Sequence, residues 1–222
     1  MRELILKHQG KRICIMGGAD KLEDDLKQVN ADIYISANEH GAKLRKCDYL
    51  FAMDDTHGNG QPMGKYLRQF SDAPIISPCD YGDIKPHSWP RAPRRIYSGL
   101  NAAWMAWVMG AKVVILAGFD AYNQSAGALR KAQIFVDEIH CPVRVVGGTM
   151  GNLWPAYKKG ERFKFEKHPA IDTLLGTGGI VTVIVKKPTQ ICGADVVKGQ
   201  KWVGRRYDVR SLLKHRMVEV VA

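Results

Sequence analysis

Apolar positions along the chain follow two spacings, one typical of helices and one typical of buried strands. Between Leu100 and Val108 apolar residues recur three and four positions apart, which predicts a helix with one face against a core. Ser98 precedes this stripe as a candidate N-cap, and Gly110 follows it as a candidate C-terminal stop. The unbroken apolar run Val113–Ala117 then predicts a strand covered on both faces. A helix that leads into a buried strand is half of an α/β unit.

The same alternation recurs on both sides of this segment. Short apolar runs predict further strands at 13–16, 31–36, 49–53, 73–77 and 143–146, and amphipathic spacing predicts helices at 22–29, 63–70 and 129–139. Strands that alternate with helices are typical of an α/β fold with a doubly wound, mostly parallel, Rossmann-like sheet. Pro74 favours an edge position for the strand at 73–77.

The pattern changes after residue 178. A β-branched run at 180–185, short apolar segments at 202–203 and 218–221 and one helical turn at 211–214 indicate a small β-rich appendage. We therefore expect two domains. A Rossmann-like domain covers residues 1–170, and a small β-rich C-terminal module covers residues 178–222.

Glycine and polar residues follow the predicted strands at their carboxyl ends. In open parallel sheets, ligands bind in the crevice outside these ends. The residues that stand there, or at the start of the helix before Val113–Ala117, are Gly17, Gly18, Asn38, Asp54, Ser98, Gly99 and Asp120. We predict that these residues line one ligand site.

Two of these features allow more than one interpretation. A strand, the glycine turn Gly17-Gly18 and a helix N-terminus together can hold a phosphate on backbone N–H groups. The alternative is a plain tight turn, in which Asp20 and Glu23 form a capping box. Asn38 either bonds a base or a ribose, or closes an Asx turn. The sequence leaves both choices open.

The loop after the predicted strand 49–53 begins with two carboxylates, Asp54 and Asp55, followed closely by His57. Oxygen ligands of this kind hold divalent cations such as Mg²⁺. Neighbouring residues of an extended chain point to opposite sides, so at most one of the two carboxylates need face the site. Asp54 is therefore the candidate metal ligand, and an ordinary loop role is the alternative.

The net charge, the distribution of basic residues and the cysteines indicate which partners and which kinds of site to expect. The net charge of +11 favours polyanionic partners such as nucleotides or nucleic acid. Basic residues are densest at 158–167 and 198–216, but no DNA-reading motif accompanies them, so nucleic acid is the weaker candidate partner. The five scattered cysteines favour neither a disulfide framework nor a zinc site.

Neither a membrane span nor a secretory signal is visible in the sequence. No apolar run reaches the roughly 18 residues that a membrane-spanning helix needs. The first residues also lack the long apolar region of a signal peptide. The expected location is therefore the cytoplasm.

The motifs, taken in order, resemble a known family. Residues 98–122 begin with S-G and end with G-x-D-x-Y, as does the corresponding segment of bacterial Rossmann-like sialyltransferases. The segment is also similar to that of archaeal-type 6-hydroxymethylpterin diphosphokinase-like proteins, and related chains of similar length occur in bacteriophage genomes. A glycine turn, Asn38 and Asp54 after the first three strands fit the same order. The resemblance covers about residues 11–150.

The resemblance implies roles for particular residues. In the sialyltransferases the matching positions hold the nucleotide of CMP-sialic acid, which implies nucleotide-binding roles for Gly17, Gly18, Asn38, Ser98, Gly99 and Asp120. Those enzymes use a histidine after the aspartate as general base, and neither His140 nor His168 lies in a matching motif. In the diphosphokinases, Asp54 and Asp120 would lie near a magnesium-bound nucleotide.

We therefore predict a nucleotide- or nucleotide-sugar-binding protein of phage origin, with glycosyl- or phosphoryl-transferase chemistry. Asp54 and Asp120 are the predicted catalytic residues, and Mg²⁺ with a nucleotide or a CMP-sugar is the implied cofactor. The alternative is a non-catalytic phage structural or virion-associated protein whose partners are phage particle proteins. The host cytoplasm is the expected location in the first case, and the virion in the second.

Overall fold

The computed structural model describes residues 2–85, 97–120, 132–133, 138–147, 149–169, 171, 180–191, 194–205 and 217–221. The chain divides into two compact units, with the main division between Lys167 and His168. The larger unit contains a six-stranded sheet, and the smaller unit contains a three-stranded and a two-stranded sheet.

The strands of the larger unit are short apolar segments. They are β1 (Arg12–Met16), β2 (Ile33–Ala37), β3 (Tyr49–Phe51), β4 (Ile75–Ile76), β5 (Val113–Ala117) and β6 (Val143–Val145). Their order across the sheet is β4-β3-β2-β1-β5-β6, and each strand runs parallel to its neighbours. This arrangement confirms the predicted Rossmann-like α/β fold, with β4 at an edge.

Burial explains why these segments form strands rather than helices. All five residues of β5 are buried, as are the last four residues of β1 and of β2. Layers on both faces of a parallel sheet leave no solvent-exposed side, so the sequence shows continuous apolar runs instead of alternation. The central strands therefore form the core, and their carboxyl ends are the first positions where polar residues can reach solvent.

Helices flank this sheet, and the described ones include α1 (Leu22–Gln28), α2 (Met63–Leu67) and α3 (Ser98–Val108). The predicted stop of α3 at Gly110 is confirmed, since Gly110 has φ +89°. The Gly110 N–H donates to the Trp107 carbonyl at 2.9 Å, and the Ala111 N–H donates to the Ala106 carbonyl at 3.1 Å. This pair of bonds is a Schellman motif, which satisfies carbonyls at the helix end.

Helix α3 is buried on all sides, not on one face as its apolar stripe predicts. Every residue from Gly99 to Val108 is buried. Backbone N–H groups of the N-terminal segment donate to carbonyls at the C-terminal end of α3, from Leu6 to Val108 at 3.0 Å and from His8 to Met109 at 2.8 Å. The N-terminal segment therefore packs on the C-terminal end of α3, a contact between distant parts of the chain that a local stripe of apolar residues does not reveal.

Two predicted helix caps are wrong. Tyr97, not Ser98, occupies the N-cap position of α3, and Lys21 occupies the N-cap position of α1. Neither helix has a side-chain cap hydrogen bond, so Asp20 does not form the predicted capping box. The Leu100 and Asn101 N–H groups both donate to the Tyr97 carbonyl at 3.1 Å, so within the described residues the Ser98 and Gly99 N–H groups keep their capacity to bind an acceptor.

Part of the sequence-based prediction falls on residues that are not described. Of the predicted helix at 129–139, residues 132, 133 and 138 are helical, and the positions 129–131 and 134–137 lie outside the described residues. The predicted helical turn at 211–214 lies outside them too.

The smaller unit is built from β-strands. They are β7 (Ile180–Val185), β8 (Thr189–Ile191), β9 (Ala194–Val196), β10 (Lys201–Arg205) and β11 (Val218–Val221). Strand β7 pairs antiparallel with β10 and β11, and β8 pairs antiparallel with β9. Trp202 packs against a small cluster of buried aliphatic side chains. The predicted β-rich appendage is confirmed.

No helix in the described part of the chain is long and apolar enough to cross a membrane.

Candidate functional site

The strand order reverses between β1 and β5, which defines a switch point in the sheet. Chain order leads from β1 towards β4 on one side and from β5 to β6 on the other, and ligands of such sheets bind at this reversal. The Gly17 N–H donates to the Ala117 carbonyl at 2.8 Å, and the Ala19 N–H donates to the Gly118 carbonyl at 3.0 Å. The glycine turn after β1 is therefore fastened to the carboxyl end of β5.

Phe119 brings two elements together at this switch point. A Cβ atom at Gly17 would lie 2.4 Å from the Gly118 carbonyl oxygen and 2.9 Å from the Phe119 ring. A Cβ atom at Gly99 would lie 2.7 Å from the same ring and 3.8 Å from the Ala37 Cβ. The turn after β1 and the N-terminus of α3 thus meet at one buried aromatic ring, and the end of β2 lies beside Gly99. Glycine is needed at both positions because no larger residue fits beside Phe119.

The first turns of α1 and α3 differ in charge. Helix α1 carries Glu23, Asp24 and Asp25 in its first turn, whereas the first turn of α3 has no acidic residue. The partial positive charge of a helix N-terminus favours anions, and the three carboxylates in the first turn of α1 offset that charge. Ser98 and Gly99, at the start of α3, are therefore better placed to face a phosphate than the start of α1.

Asp25 is a functional candidate that the sequence did not indicate. Its side chain is buried, and its Oδ2 accepts the Gly118 N–H at 2.8 Å. Burial raises the pKa of Asp25, and the bond from Gly118 and the nearby Lys21 offset part of that rise. Gly118 has φ +68°, so Asp25 holds the left-handed turn that carries Phe119 and Asp120.

Asp120 lies next to that turn and is exposed. Its Oδ1 is 3.5 Å from the Lys21 Nζ, and the two side chains are 47% and 31% exposed, respectively. The carboxylate remains accessible to a ligand, with the Lys21 ammonium beside it. Asp120 thus lies at the carboxyl end of β5, where the sequence placed it, and its predicted catalytic role stays a prediction.

Asn38 lies at the carboxyl end of β2 in a left-handed conformation, with φ +56°. Its backbone N–H donates to the Phe51 carbonyl at 2.8 Å, and its carbonyl accepts the Ser36 hydroxyl at 2.7 Å. Within the described residues, its side-chain Oδ1 is buried and has no hydrogen-bond donor. The side chain therefore does not close an Asx turn with described residues. A buried acceptor without a donor costs free energy that a ligand N–H or O–H would recover.

Asp54 lies beyond β3 and is exposed. Its backbone carbonyl accepts the Tyr81 hydroxyl at 2.7 Å, which fixes the loop and leaves the carboxylate in solvent. In the described ranges, no group of three or more His, Cys, Asp or Glu residues could hold a metal ion. Asp54 would therefore contribute a single carboxylate to a cation, and this metal role stays a prediction.

A second feature missed by the sequence analysis is a charged cluster formed by Glu39, His40, Lys43 and His57, here named the Glu39 cluster. The buried Glu39 Oε1 lies 3.4 Å from the Lys43 Nζ and 3.9 Å from both His40 Nδ1 and His57 Nε2. Burial alone raises the pKa of Glu39, but a backbone hydrogen bond and the charges of His40 and Lys43 hold it below the ordinary value. Glu39 is therefore ionised at neutral pH.

The Glu39 cluster extends to the glycine turn. A Cβ atom at Gly18 would lie 2.8 Å from the His40 Nε2, so this imidazole covers Gly18 closely. On the far side of the cluster, His57 stacks on Tyr66 with ring centroids 3.8 Å apart. In the sequence, the signal for this cluster is the polar dipeptide Glu39-His40 directly after Asn38. The fold is needed to show that the dipeptide faces the turn after β1.

Of the comparisons with known proteins, the one with solved structures bears on the fold. No protein-family model matches the sequence, and no curated protein matches it significantly. Among solved structures, the chain is similar to the sialyltransferase CstII from Campylobacter jejuni in complex with a substrate analogue, CMP-3FNeuAc, with a TM-score of 0.50 and 16% identity over 72% of this chain and 91% of that one. An alpha-2,3-sialyltransferase from Campylobacter jejuni in apo form gives a TM-score of 0.49 and 15% identity, over 76% and 89% of the two chains. The chain has a sialyltransferase-like fold, as its motifs predicted.

Proposed function

We propose that the chain binds a CMP-linked sugar at the switch point and acts as a glycosyltransferase. The observation that carries this proposal is the convergence at the switch point of the glycine turn after β1 and the N-terminus of α3, which meet at Phe119, with the end of β2 beside Gly99. A nucleotide needs a phosphate site and a nucleoside site side by side, and this convergence offers both. The similar fold of a sialyltransferase bound to a CMP-sugar analogue supports the choice of nucleotide.

The phosphate would bind between the glycine turn and α3. Ser98 and Gly99 present the N-terminal end of α3, whose first turn carries no acid. Backbone N–H groups at a helix N-terminus bind phosphate without a charged side chain. Gly18, the second glycine of the turn, is exposed, so a ligand can approach its backbone.

The nucleoside would bind next to Asn38. Its buried Oδ1 accepts no hydrogen bond from the described residues, so it suits the donor groups of a nucleoside, such as the amino group of cytosine or a ribose hydroxyl. A site built around a buried acceptor rejects ligands that lack the matching donor, because the acceptor then stays unpaired. Asn38 therefore would contribute specificity as well as affinity.

Asp120 would act on the substrate from the β5 side. Its exposed carboxylate can accept a hydrogen bond from a hydroxyl of the sugar or the ribose. Asp54 alone does not form a dedicated metal site in the described part of the chain. We therefore assign phosphate recognition to the protein's own donors, and Asp54 as a ligand for a nucleotide-bound Mg²⁺ remains a separate prediction.

Isothermal titration calorimetry with CMP, CDP, GTP and ATP, with and without Mg²⁺, tests the proposal. We expect CMP and CDP to bind with dissociation constants well below millimolar, and GTP and ATP to bind more weakly. Release of CMP from a CMP-sugar then tests catalysis. If none of the four nucleotides binds below the millimolar range, the proposed function is wrong.

The same titration separates the alternatives. A phosphoryl-transferase would prefer ATP or GTP and would require Mg²⁺, since the metal neutralises the triphosphate. A non-catalytic protein of phage particles would bind CMP without releasing it from a CMP-sugar, or would bind no nucleotide. Sedimentation with assembled particles would then support the structural role.

A further inference from the structure

We propose that His40 is a phosphate-binding residue, which donates a hydrogen bond from Nε2 to the phosphate held at the Gly17-Gly18 turn. This inference rests on the proposed function and adds to it a side-chain donor that the family motifs of the sequence do not contain.

The position of His40 is the first argument. Its Nε2 would lie 2.8 Å from a Cβ atom at Gly18, so the nitrogen edge of the ring points at the turn. Gly18 is exposed, and its N–H makes no hydrogen bond to the described residues. The side chain of His40 is 39% exposed, so an incoming anion can reach it. One phosphate oxygen could therefore meet the Gly18 N–H and the His40 Nε2 together.

The orientation of the imidazole is the second argument. The Nδ1 of His40 faces the Glu39 Oε1 at 3.9 Å, which leaves Nε2 as the nitrogen directed at the turn. Glu39 is buried and its pKa is held below the ordinary value, so a carboxylate faces the Nδ1 side of His40. An imidazolium carries N–H donors on both nitrogens, and the second one is available for an acceptor. At 3.9 Å the contact is electrostatic and not a hydrogen bond, and it favours the ring orientation in which Nε2 meets the ligand.

Charge is the third argument. A phosphate at the turn brings negative charge close to Asp120 and to the acidic first turn of α1. Backbone N–H groups alone carry only partial charges. An imidazolium at this position would make the hydrogen bond to phosphate charge-assisted, which strengthens it about twofold over a neutral one. His40 is the side chain that lies in contact with Gly18 on this side of the turn.

The chain itself offers a matched control. His57 lies at the same distance from Glu39, 3.9 Å, but stacks on Tyr66 instead of covering Gly18. Replacement of either histidine removes one imidazole from the Glu39 cluster. Of these two histidines, only His40 lies where it can contact a phosphate at the turn.

The test compares His40→Gln and His57→Gln with the wild type in calorimetric titrations of CMP, cytidine and inorganic pyrophosphate. We expect His40→Gln to weaken binding of CMP and pyrophosphate by about ten- to a hundredfold, as loss of a charged hydrogen bond does. Cytidine, which has no phosphate, should bind both variants and the wild type equally. His57→Gln should bind all three ligands like the wild type. His40→Ala provides a second variant, and thermal melting reports that each variant is folded.

The outcomes separate this inference from the proposed function. Equal CMP affinity of the wild type and His40→Gln overturns the inference and leaves the proposed function intact. Equal losses in His40→Gln and His57→Gln also overturn it, because the effect would then come from the Glu39 cluster as a whole. If the wild type binds pyrophosphate but not CMP, and His40→Gln loses pyrophosphate, the proposed function is wrong and the inference stands. If the wild type binds neither, both are wrong.

Discussion

The two sides of the switch point use their polar groups differently. On the β5 side, the buried Asp25 accepts the Gly118 N–H, so this polar side chain bonds within the protein. On the β2 side, Asn38 keeps a buried Oδ1 without a donor among the described residues, and His40 directs a nitrogen at the exposed Gly18. We name the β5 side the scaffold side, because its buried polar group bonds internally. We name the β2 side the recognition side, because it presents a donor and an acceptor to a ligand.

This difference has a measurable consequence. A substitution on the scaffold side should change the free energy of unfolding, whereas one on the recognition side should change ligand affinity and leave the fold intact. Sites that hold a ligand precisely need such a division, because the recognising groups depend on neighbours that do not move.

The largest effect is expected at Gly17, where the two sides join. Gly17→Ala should lower the free energy of unfolding by about 3 kcal/mol, because the new methyl group collides with a backbone carbonyl that cannot rotate away. The contact would be 2.4 Å to the Gly118 oxygen. Urea denaturation measures the change. Gly58→Ala is the matched control, since nothing lies within 4 Å of a Cβ at Gly58. Equal free energies of unfolding for Gly17→Ala and Gly58→Ala would contradict the close approach of Gly17 to the Gly118 oxygen.

The next largest effect is expected at Asp25. Asp25→Ala should lower the free energy of unfolding by about 2 kcal/mol, because the buried Gly118 N–H loses its acceptor. Asp25→Asn keeps an acceptor oxygen and provides the control for shape. A loss as large in Asp25→Asn as in Asp25→Ala, measured by denaturation near pH 5, would show that the hydrogen bond is not what matters.

The pH dependence of Asp25→Asn tests the same scaffold. Because burial raises the pKa of Asp25, the folded state binds its proton more tightly than the unfolded state does. The contribution of Asp25 to stability is therefore largest below the ordinary pKa of 3.8 and falls as the pH rises through the raised value. Asparagine does not titrate, so the stability of Asp25→Asn relative to the wild type should increase over that pH range. A constant difference from pH 3 to pH 8 would contradict the raised pKa.

The comparison also shows what the sequence could reveal. The strands, the glycine turn and the positions of Asn38 and Asp120 follow from local apolar runs, because a parallel sheet places every strand end at one edge. Asp25 could not be found in this way. It stands beside Glu23 and Asp24 in an acidic helix turn, and only the packing of α1 against β5 decides that Asp25 is the buried one.

His40 and the buried second face of α3 escaped prediction for a related reason. The Glu39-His40 pair is an ordinary polar dipeptide until the β1–β2 register brings it to Gly18. The N-terminal segment likewise packs on the C-terminal end of α3 through contacts such as that of Leu6 with Val108, about a hundred residues apart in the sequence. Hydrophobic periodicity reports local amphipathicity, so contacts between distant segments lie outside its reach.

Asn38 tests the recognition side. Asn38→Gly keeps the left-handed backbone, which glycine adopts without strain, and removes the amide oxygen. We expect the melting temperature to stay close to that of the wild type, and the affinity for CMP to fall about tenfold, as for the loss of one buried hydrogen bond. Calorimetric titration of CMP measures the change. An unchanged affinity would place Asn38 outside the nucleoside site.

The smallest effect on stability is expected for the pair of Lys21 and Asp120. Both side chains are substantially exposed at an N–O distance of 3.5 Å, so a double-mutant cycle with Lys21→Met and Asp120→Asn should give a coupling of less than about 0.5 kcal/mol. Asp120→Asn should nevertheless slow the release of CMP from a CMP-sugar, since the carboxylate would face the substrate. If the coupling exceeds about 1 kcal/mol and Asp120→Asn keeps full turnover, Asp120 stabilises the fold and does not act on the substrate. The β5 side would then carry no group that acts on the ligand, and catalysis would have to come from the β2 side alone.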